Sequence, residues 1–240
     1  MKRVLIAVTG ASGQIYARLI IDRLRAMAAA SIVTNGEAKS RTGYGVEGIE
    51  LDIIFSIPAK GVWKEELGTS YAALEKEFVV VERGNDSTER GNGVVESGED
   101  GANSGEGGAN SKVKLINNYD FNNRNASGSN CADVMIIIPC SMGTIGRIAA
   151  GTSDTLILRA ADVMLKERKR LILVPRESPY SLIHLRNMTT LTEAGAIIAS
   201  AAPSFYLKPT SLEEMAGIFV SRILELAGIE SIENTQRWGE

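Results

Sequence analysis

Histidine occurs once in this sequence, at His184, with no cysteine or acidic cluster beside it. A metal centre therefore lacks its usual ligands, and His184 reads as a structural, hydrogen-bonding residue. The two cysteines, Cys131 and Cys140, are too few for a disulfide framework and lack zinc-finger spacing. Cys140 reads as a small buried thiol, since no acid–base partner is evident. No two aspartates are adjacent, which removes an aspartate-rich site for magnesium and diphosphate. No Tyr-x-x-x-Lys pair exists to support a short-chain dehydrogenase. No apolar run reaches the length of a membrane span, and Met1-Lys2-Arg3 leads into a strand-like run rather than a signal peptide. A formal net charge of −3 gives no basic field for nucleic acid or anionic lipid. These absences predict a cytoplasmic globular enzyme or binding protein.

Val4-Leu5-Ile6-Ala7-Val8 predicts a buried parallel strand, ended by Thr9-Gly10. Ile15, Leu19, Ile20 and Leu24 recur at helical spacing and predict a helix from Gly13 to about Met27. Ser31 to Thr34 predicts a second strand and Leu51 to Phe55 a further one. Val134 to Ile138 predicts a buried strand closed by Pro139. A helix follows from Asp154, read as its N-cap, to about Arg168. Leu171 to Val174 predicts a strand stopped by Pro175. A helix over Ser181 to Glu193 and a strand over Ala196 to Ala199 repeat the alternation, and Ser211 with Glu214 opens a last helix as a capping box. This rhythm predicts a three-layer αβα fold, Rossmann-like or flavodoxin-like, with a mostly parallel sheet. Arg83 to Ser111 is rich in Gly, Ser, Asn and Glu and repeats GANS. It predicts a flexible low-complexity insertion within a single domain over 1–240, and no site is placed there.

Thr9-Gly10-Ala11-Ser12-Gly13 lies between strand and helix, where a tight turn presents backbone N–H groups and a positive dipole end to a phosphate. A dinucleotide site calls for a third glycine at position 16 and an acidic residue after the second strand. Tyr16 and Thr34-Asn35 stand there instead, so a mononucleotide phosphate is the better reading. Pro139-Cys140-Ser141-Met142-Gly143-Thr144 repeats the recipe after another buried strand. Two such turns at the carboxyl ends of parallel strands define a ligand crevice. Arg159 and Lys166 share a helix face, roughly 10 Å apart along the axis. The basic block Lys166 to Arg170 suits a solvated helix end. Arg176-Glu177 places an ion pair just beyond a buried strand, where charge more often serves a ligand.

Together these stretches resemble the UbiX-type flavin prenyltransferases, within the flavin-binding cysteine decarboxylase group. From Asn125 to Glu240 the motifs ASGS, PCSMGT, RAADVMLKERKRLILVPRESP, HLRNM, APSFY and RWGE follow that family's order, and VTGASGQIY fits it too. The resemblance implies transfer of a dimethylallyl group from dimethylallyl monophosphate to N5 and C6 of reduced FMN, without metal. It implies a homo-oligomer, commonly a dodecamer, with the site at a subunit junction, and a product used by UbiD-type decarboxylases. On this resemblance Gly10, Ala11, Ser12, Thr34, Ser141, Met142, Gly143, Thr144 and Arg176 would bind FMN, with Ser12 near the reacting flavin. Tyr206, Arg222 and Lys166 would grip the donor phosphate, and Arg159 would add a further basic group. Glu177 would handle protons, Ser12 and Arg176 would stand beside it in the chemistry, and Trp238 would close the site. The sequence departs from the family at Phe121, where members with this tail carry Trp, and Arg41 to Glu47 supplies no clear helix and acidic residue after the second strand.

Two other readings share the fold. A flavin-dependent decarboxylase of cysteinyl substrates would carry an early histidine and a PASANT-like turn, and a direct aromatic-acid decarboxylase would need a group to stabilise a carbanion. Neither feature is present. A non-catalytic FMN carrier would not need a second set of phosphate-binding cations.

Overall fold

The computed structural model describes residues 1–33, 48–83 and 112–229. Six strands, β1 (Lys2–Val8), β2 (Ile49–Phe55), β3 (Val113–Ile116), β4 (Val134–Cys140), β5 (Arg170–Pro175) and β6 (Ile197–Ile198), form one sheet in the order β3-β2-β1-β4-β5-β6. All five pairings are parallel. The helices are α1 (Gln14–Val33), α2 (Ile57–Leu67), α3 (Tyr71–Arg83), α4 (Met142–Ala149), α5 (Leu156–Lys166), α6 (Leu182–Glu193) and α7 (Leu212–Leu226).

Alternation along the strands sorts the core into two layers. Val4, Ile6 and Val8 of β1 and Ile136 and Ile138 of β4 pack with α1, α7 and Trp63 of α2. Leu5 and Ala7 of β1 and Met135 and Ile137 of β4 pack with α4, α5 and Leu191 of α6. With helices on both faces, the strands read as near-continuous apolar runs, and the αβα expectation holds.

Three local expectations need correction. Ser31 to Val33 is the end of α1, not a strand, and Thr34 lies outside the described residues. The preceding Met27-Ala28-Ala29-Ala30 run favours helix and carries it past the β-branched pair. The true second strand is β2, which includes the Leu51–Phe55 segment. Asp154 does not cap α5. It pairs with Arg147 at 2.5 Å, and Thr155 is the N-cap, making no side-chain bond. At α7, Ser211 accepts from Glu214 N, but the Glu214 carboxylate accepts from Thr210 N at 2.6 Å rather than closing the box on Ser211. The low-complexity insertion lies outside the described residues apart from Arg83, the last residue of α3.

On β2, Glu50 and Asp52 face the second layer, where the segment after β3 stands in place of a helix. Asp52, 1% exposed, accepts from Arg124 Nε at 2.9 Å and from Asn125 Nδ2 at 2.7 Å, while Arg124 Nη1 donates to Glu50 at 2.6 Å. Desolvation works against the Arg124 charge, but Asp52 and Glu50 outweigh it and hold the guanidinium above its ordinary pKa. Removing the cation strands a buried carboxylate. Arg124→Ala should lower the unfolding free energy by about 3 kcal/mol in urea titration. Glu50→Ala, at the wetter end of the cluster, should cost about 1 kcal/mol.

Candidate active site at the carboxyl edge of the sheet

The strand order reverses between β1 and β4, and both glycine- and hydroxyl-bearing turns emerge there, side by side. Thr9 joins them. Its hydroxyl donates to Pro139 O at 2.8 Å and accepts from Ser141 N at 2.8 Å, and its N–H also donates to Pro139 O. Gly10 is dictated by crowding, because a Cβ there would come within 2.5 Å of Pro58 Cβ at the start of α2. Buried Gln14 donates to Thr9 O and Ala11 O at 3.0 and 2.8 Å, fixing the first turn from inside. Tyr16, in the place of a third glycine, packs edge-on against Phe219 of α7 with ring centroids 5.0 Å apart.

Four helix N-termini reach this edge around the switch point, and the chain fills two of them itself. At α1 the carboxylate of Glu66 accepts from Gly13 N at 2.9 Å and Gln14 N at 2.8 Å. At α5 Asn118 accepts from Leu156 N through its carbonyl at 2.7 Å and from Ile157 N through Oδ1 at 3.0 Å. The other two stay open. Ser56 caps α2 by accepting from Ala59 N, and Ser141 caps α4 by accepting from Thr144 N. The N–H groups of Ile57, Met142 and Gly143 have no partner among the described residues. Between these ends lies a cleft of ≈ 270 Å³, whose lining includes Thr9, Ser56, Asn118, Tyr119, Thr144 and Arg147. The first turn therefore does not offer its helix N-terminus to a phosphate. That capacity lies at α2 and α4.

Arg176 and Glu177 follow β5 at the same edge. The Arg176 Cγ is 3.9 Å from where a Gly13 Cβ would stand, which puts this cation beside the first turn. Glu177 is exposed and accepts from Ser178 N at 3.0 Å. Desolvation opposes ionisation of Glu66, yet hydrogen bonds from the Ser12 side chain and from Gln14 and Gly13 N–H, with the Arg176 charge, hold its carboxyl below the usual range. Burial pushes the Cys140 thiol well up, so it stays protonated. Among the described residues, no group of three or more His, Cys, Asp or Glu could hold a metal ion.

The remaining candidates are not all gathered here. Tyr206 is exposed in the loop between β6 and α7, and Arg222 lies toward the far end of α7, paired with Glu225 at 2.9 Å. Arg159 donates to Ala126 O at 3.1 Å and pairs with Asp162 at 2.8 Å. Lys166 pairs with Glu167 where α5 turns into β5, at the opposite, amino edge of the sheet. One chain thus does not bring Lys166 to the crevice. Thr34 and Trp238 lie outside the described residues. His184 is the third residue of α6, and its Nδ1 accepts from Ser181 N, a hydrogen-bonding role as expected.

Sequence reading missed Ser56, Glu66 and Asn118. The signal for the first two was present: Ile49 to Phe55 is a strand-length stretch, interrupted by Glu50 and Asp52, that leads into Ser56, an N-cap followed by Pro58 and a helical stretch that contains Glu66. Arg41 to Glu47, where the family's helix and acidic residue were sought, lies outside the described residues. Asn118 left no local signal, since it caps a helix far along the chain.

A parallel αβα sheet with two hydroxyl-rich turns at its switch point defines a nucleotide-binding protein. The flavoprotein family model matches residues 1–220. The flavin prenyltransferase UbiX of Methanocaldococcus jannaschii is 32% identical over 237 residues, covering 99% of this chain and 98% of that protein. The protein of the same name from Thermoplasma acidophilum is 56% identical over 119 residues, covering 50% of this chain. The chain spans 66% of the length of that relative and 54% of the one from Pseudomonas aeruginosa. A crystal structure of AnUbiX (PadA1) in complex with FMN and dimethylallyl pyrophosphate superposes with a TM-score of 0.70 at 30% identity, covering 100% of this chain and 98% of that one. A dodecameric FMN-dependent UbiX-like decarboxylase from Escherichia coli O157:H7 superposes with a TM-score of 0.72 at 28% identity, over 99% of both chains. The chain belongs to the flavoprotein family, within its UbiX flavin prenyltransferase branch.

The Glu66 bonds carry a pH signature. Because its folded pKa is depressed, the stabilisation is complete above the ordinary carboxylate range and is lost as pH falls through the depressed value. Glu66→Gln should cost about 1 kcal/mol at pH 7, or ~3 °C in melting temperature. That difference from the parent should shrink in thermal melts stepped down toward pH 3.

Proposed function

We propose that this chain, as a single flavoprotein domain, transfers a dimethylallyl group from dimethylallyl monophosphate to reduced FMN. The observation that carries the reading is the pair of open helix N-termini at α2 and α4, beside the hydroxyls of Ser56 and Thr144. This donor set fits one phosphate of a mononucleotide, and Glu66 fills the α1 turn that a dinucleotide's pyrophosphate would take. Ser141 to Thr144 and Ser56 would hold the FMN phosphate. Gly10, Ala11 and Ser12 would border the flavin, and Arg176 would balance its charge. Reduced FMN, when bound, supplies N5 and C6 as the electron-rich atoms to be alkylated.

A monophosphate leaves poorly, so fixed cations must take up its charge as the allylic C–O bond breaks. Tyr206 and Arg222 would hold that phosphate. Lys166, at the far edge of its own chain, would come from a neighbouring copy together with Arg159. Leu182, Ile183, Leu185, Phe205 and Leu212 are all exposed, which supports burial of these surfaces in a homo-oligomer. The dodecameric relative supports the same closed assembly. Glu177 would move the proton that leaves on ring closure. Prenylated flavin would pass to a UbiD-type decarboxylase. Among the described residues no helix is long and apolar enough to cross a membrane, and both cysteines are free thiols, which supports a cytoplasmic setting.

Anaerobic incubation with reduced FMN and dimethylallyl monophosphate, followed by mass analysis, should yield a flavin heavier by one C5 unit without added metal. Unmodified flavin with intact FMN binding would instead support a carrier or a cysteine decarboxylase. Glu177→Gln should slow turnover about 100-fold while leaving FMN affinity unchanged.

A further inference from the structure

Asn118 follows the end of β3 and lines the cleft between the α2 and α4 ends, although it is only 7% exposed. Both of its oxygens are committed to α5. The backbone carbonyl accepts from Leu156 N at 2.7 Å and Oδ1 accepts from Ile157 N at 3.0 Å, while Thr155, the N-cap by position, makes no side-chain bond. The Ile157 N–H needs an acceptor, so this bond settles which way round the carboxamide stands. Nδ2 points away from it, carries two N–H donors, and has no partner among the described residues. It is not sealed in the interior either. The described side-chain atoms that are both sealed and unpartnered are Gln14 Oε1, Asp52 Oδ1 and Trp63 Nε1.

Capping a helix is ordinary work for such a residue, and it accounts for the two oxygens. It does not account for the amide. Asn and Asp cap a helix about equally well, and the dipole adds attraction for a carboxylate. At α1 the chain meets the same need with the Glu66 carboxylate. At α5 it sets an amide, which keeps negative charge off the cleft wall and adds a donor there. The two charged residues that line the cleft, Arg147 and Asp154, pair with each other at 2.5 Å. Recognition of an anion therefore falls to neutral donors. The hydroxyl of Thr155, relieved of capping, is a second one on the same wall. Donors left unmade in a largely buried place cost free energy unless an acceptor in the cleft meets them.

We infer that Asn118 Nδ2 and Thr155 Oγ1 are further ligands of the FMN phosphate, donating to its oxygens from the α5 side of the cleft. The inference rests on the FMN reading of this crevice. Riboflavin, which lacks the phosphate, makes neither bond, so these residues set a preference for the phosphorylated flavin.

The test is flavin-fluorescence titration of the full chain with FMN and, separately, with riboflavin. Asn118→Asp keeps Oδ1 on Ile157 N and exchanges the donor for a carboxylate oxygen. It should weaken FMN binding about 100-fold and riboflavin binding by less than about twofold, with a melting temperature at or above the parent's. Thr155→Val, which removes one hydroxyl, should weaken FMN alone, by about fivefold. An Asn118→Asp chain that binds FMN like the parent overturns the inference. So does one that loses FMN and riboflavin in equal measure, because the residue would then only shape the cleft. A parent that binds FMN no tighter than riboflavin overturns it as well. Failure of prenyl transfer shows in the mass of the flavin and not in these affinities, so the two readings fail separately. If Asn118→Asp melts well below the parent, Thr155→Val decides by the same comparison of FMN with riboflavin.

Discussion

Thr9 sits where the two halves of the sheet diverge, and its hydrogen bonds to Pro139 and Ser141 tie the turn after β1 to the turn after β4. Helices leave these strands toward opposite faces, α1 to one layer and α4 to the other, and among the described residues the hydrogen bonds joining the two turns are those of Thr9. A hydroxyl that both donates and accepts holds the two turns at one spacing. The apolar strands beneath supply rigidity through burial, and the Thr9 tie converts that rigidity into a crevice of fixed width.

Around that tie the chain distributes its charges with economy. Four positive helix ends approach one edge. A carboxylate and an asparagine close two of them, leaving the other two and a cluster of small hydroxyls for a ligand. The Asp52–Arg124 cluster serves this arrangement at a distance, because the segment it secures also carries Asn118 and Tyr119 into the cleft. Loss of packing under that segment would therefore be felt at the site.

The strands and helices that bury apolar faces at a regular period, β1, β4, β5 and α5 to α7, were legible in the sequence, as were both turns. The Leu51–Phe55 part of β2 was legible too, but an extra strand was read at Ser31 to Thr34. Ser31-Ile32-Val33 has strand composition, yet it follows an alanine-rich stretch that favours helix, and local propensity alone does not decide between them. The strand ending at Phe55 was read, but the helix that Ser56 caps was not, and Glu66 within that helix went unread with it. The family's motifs were equally legible, but the position of Lys166 was not, because the edge on which a helix ends depends on the course of the chain. A one-dimensional motif says which residues matter and is silent on which copy of the chain uses them.

The carboxylate of Glu66 in the first turn has a consequence for ligand register. An enzyme that leaves this turn vacant lets a pyrophosphate bridge it, and the nucleotide can then extend to either side. Here the turn carries a built-in counter-anion, so a mobile phosphate meets repulsion there and attraction only at α2 and α4. Under the proposed reading a mononucleotide would seat with one polarity, phosphate toward Ser56 and Thr144 and ring toward Ser12 and Arg176. On that reading the same face of the ring would be presented in every encounter, and regiochemical fidelity would follow from electrostatics already set in the fold.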